Sequence, residues 1–384
     1  MDFSEVIGLE YIKSHLQTTL LQDRVAHAQL FVGNHGSGLL PLAIAYAKEI
    51  LCAGHEKESV SYQQCAHKVS QLAHPDLHFV YPVANNASVK NAISDSYSEA
   101  WRDFVKATPY ASLFQWYLQL GIENKQGNIN VKEAENITKK LSLKSFEGGY
   151  TVMIIWMADK MNTECANKIL KLVEEPPNKT VLLLLTENEE RIINTIRSRC
   201  QKLELPKLSE DAIAKGLQLQ HTLSEAAAMQ ISRKSQGDFQ KALDIVENVG
   251  EDQIFETWFV GWVRTAFKAK GNKAAIQELL KWSDGMAIKG RETQKSFLNY
   301  CVEMFRQALL KNYSADPLVY LETHDPKFSI EKFAPFVHQN NIFEITQALQ
   351  TAAYHIERNG NAKIIFADLS IQLTKLIHKK DAYN

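Results

Sequence analysis

HAQLFVGNHGSGLL, residues 27–40, sets the reading of the whole chain. Ala28 to Val32 form a short apolar run, glycines follow at 33, 36 and 38, and a helical pattern, LAIAYAKEILC, occupies residues 42–52. Strand, glycine turn and helix in that order build a phosphate loop. In the full motif, G-x-x-x-x-G-K-[ST], backbone N–H groups cradle phosphates, the lysine neutralises them and the hydroxyl ligates magnesium. Gly33-Asn34-His35-Gly36-Ser37-Gly38-Leu39-Leu40 keeps the glycine scaffold but has leucine at both chemical positions. A charged hydrogen bond contributes ~1.5 to 3 kcal/mol, so loss of the lysine alone weakens nucleotide binding by roughly 10- to 150-fold.

Working outward, Ile7, Ile12, Leu16 and Leu20 mark one face of an amphipathic helix before the loop. A second set of alternating elements begins with the helical NVKEAENITKKLSLKS (residues 130–145). It continues through the apolar YTVMIIWM (150–157) to the helical NTECANKILKLVEEPP (162–177), which Pro176 and Pro177 stop. TVLLLLT (180–186), NEERIINTIRSRC (188–200) and QKLEL (201–205) complete it. The runs VMIIWM and VLLLLT lack period-2 alternation, so both faces of these strands should be covered, as in a parallel sheet flanked by helices. An ATPase needs an aspartate, and usually a glutamate, at the end of such a strand. Here Trp156 and Met157 stand in those places, so the strand end and the loop have lost the same chemistry.

The expected organisation is an α/β domain over residues 1–205, a small helical lid over 206–250 and an all-α domain over 251–384. Ser209 caps the first lid helix, and Gly237 and Gly250 end the second and third. The last domain is aromatic (Trp258, Trp262, Phe267, Trp282, Phe305) and punctuated by Pro317, Pro326 and Pro335, and the chain closes on a short polar end, Tyr383-Asn384. An insertion at about 83–128 carries an aromatic helical stretch, with Trp101, Phe104, Phe114, Trp116 and Tyr117 expected to pack on the first domain. The open alternative is that these rings form a partner-docking surface.

With 384 residues, two or three domains are expected at about 150 residues each. Lys plus Arg number 43 against 44 Asp plus Glu, a net charge of −1, so no chain-wide field favours nucleic acid or an anionic membrane. No apolar run reaches the ~18 to 20 residues of a membrane span, and the N-terminus lacks a signal-peptide pattern, so a cytoplasmic protein without membrane contact is expected. Cys52, Cys65, Cys165, Cys200 and Cys301 have no disulfide-type spacing and are expected as free thiols in a reducing compartment.

HAQLFVGNHGSG, the block LSLKSFEGGYTVMIIWMADKMNTECANKILKLVEEPP (141–177) and TIRSRC (195–200) together resemble the AAA+ family of bacterial DNA polymerase III clamp-loader subunits, and within it the delta-prime branch. The resemblance implies an AAA+ P-loop domain with a parallel sheet, a helical lid and an all-α collar for oligomerisation. It places the family's phosphate-binding lysine and hydroxyl at Leu39 and Leu40, its strand-end acids at Trp156 and Met157, and its lid arginine at Gln240. One catalytic-type element survives, Ser198-Arg199-Cys200, whose arginine in the family reaches into a neighbour's ATP site. Arginine suits that task because its planar fork bonds phosphate oxygens in two places and stays charged.

The resemblance therefore implies a stator subunit with no cofactor and no ATPase of its own, lending Arg199 as an arginine finger in trans. Implied partners are the loader's motor and clamp-opening subunits, with the sliding clamp and primed DNA reached through the complex, inside a DNA polymerase III holoenzyme assembly. The alternatives are a self-sufficient AAA+ ATPase, as motor subunit or helicase loader, and a DNA-binding adaptor. Family members often hold zinc on four cysteines near Cys52 and Cys65, but Lys68 and Gln71 stand where two of them would be, so no metal is expected. His74-Pro75-Asp76-Leu77-His78 looks like a ligand cluster and is expected to be a structural turn.

Overall fold

The continuous apolar runs become the strands of one parallel five-stranded sheet, ordered β2-β3-β4-β1-β5. These are β1 (Ala28–Gly33), β2 (Leu77–Val80), β3 (Thr151–Ile155), β4 (Thr180–Thr186) and β5 (Gln201–Leu205). This is a computed structural model, and it describes residues 1–57, 59–86, 89–122, 125–247, 251–319, 325 and 328–379. The expected helix stop at Gly250, the break at Pro326, the end Tyr383-Asn384 and parts of the insertion (87–88, 123–124) lie outside the described residues.

Side chains leave each strand to alternate faces, and here both faces are apolar. Val152, Ile154, Val181, Leu183, Leu185 and Phe31 enter the core on one side. Met153, Ile155, Leu182, Leu184 and Leu30 enter the other. The first face is covered by α1 (Glu10–Leu21), α2 (Leu39–Cys52) and α3 (Val60–Ser70), with the insertion helices α4 (Ser98–Ala107) and α5 (Leu113–Gln119). The second is covered by α6 (Val131–Ser142), α7 (Thr163–Glu174) and the short α8 (Asn194–Arg197). The α/β parallel-sheet class expected from the unalternating runs is what forms.

By contact, the chain divides into two units, one of Met1–Ile122 with Gln126–Val246, the other continuing from Glu247. The first unit includes α9 (Glu210–Gln220), α10 (Glu225–Ser235) and α11 (Phe239–Glu247). The second holds α12 (Glu251–Lys268), α13 (Lys273–Ala287), α14 (Arg291–Asn312), α15 (Ile330–Phe333), α16 (Ile342–Glu357) and α17 (Ala362–Leu376). Its core includes Phe305 and Trp262, which stacks on Trp282 at 5.0 Å and donates its indole N–H to Ser370 Oγ at 2.8 Å, whereas Phe267 is exposed.

One expectation is corrected here. Cys52, ending α2, and Cys65, inside α3, are joined in a disulfide with Cα atoms 5.9 Å apart; Cys165, Cys200 and Cys301 are free. Twelve intervening residues suggested no pairing, but two helices folding back on each other bury both sulfurs at facing positions. Among the described residues, no helix is long and apolar enough to cross a membrane.

Candidate functional site

The phosphate-type loop joins β1 to α2 at the carboxyl end of the sheet, the edge where open parallel sheets place ligands. Gly36 (φ +66°) and Gly38 (φ +93°, capping α2) occupy left-handed conformations that side-chain-bearing residues resist. Ser37 is fully buried, and its Oγ donates to the Asn34 carbonyl at 2.6 Å. Leu39 and Leu40, at the lysine and hydroxyl positions, turn into the core and are buried. Both side chains serve packing.

The end of β3 is packed in the same way. Trp156 is buried against Trp101 and Phe104 of α4, with ring centroids 5.2 and 6.4 Å away. Tyr81 stacks on Trp101 at 4.0 Å, Trp116 of α5 meets Trp101 edge-on at 5.1 Å, and its indole N–H donates to the Pro82 carbonyl at 2.9 Å. The insertion thus supplies the aromatic shell that receives Trp156; Trp101, Phe104, Trp116 and Tyr117 are buried as expected, while Phe114 is half-buried. Met157 is buried in the left-handed region (φ 54°). Asp159, the next acid along, accepts from Thr186 Oγ1 at 3.0 Å and pairs with Lys160 at 3.0 Å.

From the other side α11 closes on the loop. The Phe239 amide donates to the Gly36 carbonyl at 3.1 Å, and His35 Nδ1 lies 2.7 Å from Asp238 Oδ2. Asp238 Oδ1 also accepts from the Lys241 amide at 3.0 Å, capping the helix. A Cβ on Gly36 would collide with the Asp238 carboxylate, so the carboxylate rests in the hollow that the glycine leaves. Tyr110 of the insertion seals the edge, its OH accepting from the Ile7 amide at 2.8 Å and its ring meeting Phe239 at 4.9 Å. Gln240 is buried and donates to Asp244 at 2.9 Å.

Burial opposes charge on His35, but the hydrogen bond to Asp238 and the nearby carboxylates of Asp238, Glu187 and Asp244 outweigh it, pushing its pKa up to about 9. A magnesium–triphosphate would meet apolar side chains at four ligand positions and carboxylates where cations are needed. The residues present do not fit it. Nucleotide titration of the isolated chain is expected to show no magnesium-dependent ATP binding up to millimolar concentration by calorimetry.

Arg199 lies elsewhere, on the crossing from β4 to β5. Ile196 is fully buried and anchors α8, leaving Ser198 and Arg199 exposed just beyond its end. The guanidinium holds Glu174, the last residue of α7, at 2.5 Å from Nε, and donates to the Thr195 carbonyl at 2.9 Å and to Ser198 Oγ at 3.4 Å. Burial pushes the Cys200 thiol up to about 11, so it is no nucleophile at neutral pH. Arg197 turns to Asn194 Oδ1 at 2.5 Å.

Cys65, His74 and Glu147 bring ligand-type atoms within 4.8 Å of one another, but the Cys65 sulfur is bonded to Cys52. Lys68 pairs with Glu147 at 2.5 Å and Gln71 accepts from Lys106 at 2.6 Å, so a closed four-ligand zinc site does not fit these residues. The His74–His78 stretch ties down the loop before β3: buried Asp76 accepts from the amides of Phe146 (2.7 Å) and Glu147 (3.0 Å) and from Ser145 Oγ (3.0 Å). Asp76→Ala strands these donors and is expected to lower unfolding free energy by about 3 kcal/mol, measurable by urea titration.

Residues 8–209 match the family model described as DNA polymerase III, delta subunit. The chain belongs to that family. It is 29% identical over 199 residues to DNA polymerase III subunit delta' of Bacillus subtilis (strain 168), covering 52% of this chain and 47% of that protein. It is 21% identical over 397 residues to subunit tau of the same organism, covering 99% of this chain and 62% of that protein. It is 30% identical over 131 residues to subunit delta' of Escherichia coli (strain K12), covering 34% and 39%. The chain thus spans about half the length of the first of these relatives and about three-fifths of the second. The family match takes in the glycine loop, the end of β3 and the Ser198-Arg199-Cys200 tripeptide, whereas Asp238 and Gln240 lie beyond it. His35 and Asp238 escaped sequence reasoning because nothing in their spacing, 203 residues apart, announces a pair.

Proposed function

We propose that this family member is a delta-prime-type stator of a bacterial clamp loader: it binds no ATP, and it lends Arg199 to the ATP site of a neighbouring motor subunit. The observation that carries this reading is a contrast. Leu39, Leu40, Trp156, Met157 and Gln240 are buried and His35 pairs with Asp238, while the arginine of the Ser198-Arg199-Cys200 tripeptide is exposed at the end of a buried anchor.

A rigid member of a ring gives its moving neighbours something to close against, and α9–α11 packed onto the loop suit that role. In this reading α9–α11 are the lid, the second unit is the collar through which a hetero-oligomer forms, and the sliding clamp and primed DNA are engaged only by the whole assembly. The balanced charge favours neither direct DNA binding nor an adaptor role.

The test is reconstitution with motor and clamp-opening subunits. Arg199→Ala should leave assembly intact by gel filtration and depress DNA-stimulated ATP hydrolysis; hydrolysis at the wild-type rate would overturn the reading.

A further inference from the structure

We propose that the His35–Asp238 pair is a latch that holds α9–α11 closed on the glycine loop where a nucleotide would otherwise bridge them, so that closure responds to protons instead of ATP. The inference concerns this chain alone and stands whether or not Arg199 serves a neighbour.

The geometry is specific. His35 sits in the middle of the loop, and Asp238 is the first residue of the turn into α11; they meet at 2.7 Å. Gly36 leaves room for the carboxylate, and the Phe239 amide donates to the Gly36 carbonyl beside it, so loop and helix are joined by an ion pair and a backbone bond at one point. The two carboxylate oxygens have separate tasks: Oδ2 faces His35, and Oδ1 caps α11 through the Lys241 amide. An apolar seam of Ile7, Tyr110, Leu208, Ile213, Leu217 and Phe239 supports the contact without depending on charge.

The groups around the imidazole set the sign. From α11 come Asp238 and Asp244, and from the end of β4 comes Glu187. Behind Glu187, at the end of β3, stand Asp159 and Lys160, which pair with each other. The surroundings are acidic on balance, so the protonated imidazole is the form that binds. In the closed state His35 has a pKa of about 9 against 6.5 when released. A raised closed-state pKa stabilises closure fully below 6.5, and that contribution falls away as pH climbs from 6.5 to about 9. About a third of the His35 side chain remains open to solvent, which softens the effect without changing its direction.

Hydrogen exchange and histidine NMR on the full chain test this directly. In wild type the His35 ring signal, assigned by its loss in His35→Gln, should titrate well above 6.5. Exchange of the Phe239 amide, corrected for its intrinsic pH dependence, should accelerate by up to about tenfold per pH unit across that window. Asp238→Asn keeps a good helix cap and removes the charge. It should return the His35 titration to near its ordinary value and make Phe239 exchange fast and free of the extra pH dependence at pH 6. Asp238→Ala removes the cap as well and serves as the comparison. Wild-type titration near 6.5, or exchange in Asp238→Asn indistinguishable from wild type, would overturn the latch. Fast exchange in Asp238→Ala alone would assign Asp238 to capping only and overturn it equally.

Discussion

If Arg199 serves a neighbouring ATP site as proposed, Arg199→Ala is expected to slow hydrolysis there by about 10³- to 10⁵-fold, the span of arginine fingers. That corresponds to about 4 to 7 kcal/mol of barrier. The effect can be so large because a guanidinium aimed at developing phosphate charge acts in a closed, water-poor site, whereas at rest it makes only a surface pair. Its resting partner, Glu174, leaves both side chains about two-fifths exposed, and exposed pairs are worth about 0 to 1 kcal/mol. Releasing the arginine for a neighbour therefore costs little. Arg199→Lys keeps the charge and loses the fork, so it should recover only part of the rate. Pre-steady-state hydrolysis by a reconstituted complex, with the other motor sites silenced, isolates the step. Equal rates for wild type and Arg199→Ala would remove the basis for a donor role.

The second large effect is on stability. Trp156→Asp places at the end of β3 the acid that an ATPase carries there, yet it should destabilise the first unit by about 4 kcal/mol or more. Truncating a buried tryptophan costs about 3 to 5 kcal/mol, and an uncompensated buried carboxylate adds to that. The shell of Trp101, Phe104, Trp116 and Tyr81 holds no cation to neutralise it. Trp156→Phe keeps an aromatic face and should cost about 1 to 2 kcal/mol, or about a third as much. Because the chain has two units, the change is best read from exchange protection in β3 under increasing urea. A Trp156→Asp protein as stable as wild type would mean that the aromatic shell is dispensable. α4 and α5 thus make Trp156 part of the core.

The sheet, its helix cover and the glycine loop could be anticipated from residues 27–40, 150–157 and 180–186, because alternate-face burial of unbroken apolar runs is a local pattern. The apolar character of Leu39, Leu40, Trp156 and Met157 could be read directly, since each sits at a fixed offset from a recognisable strand or turn. What packs against them could not. Trp101 reaches Trp156 across 55 residues of chain, His35 reaches Asp238 across 203, and Cys52 meets Cys65 only because α2 and α3 fold back together. Spacing carries information where a helix or strand period imposes it, and these pairings are imposed by packing instead. The sequence by itself therefore determined that apolar side chains stand in the glycine loop and at the end of β3. Only the folded molecule, by bringing distant side chains within bonding distance, decided what those side chains meet.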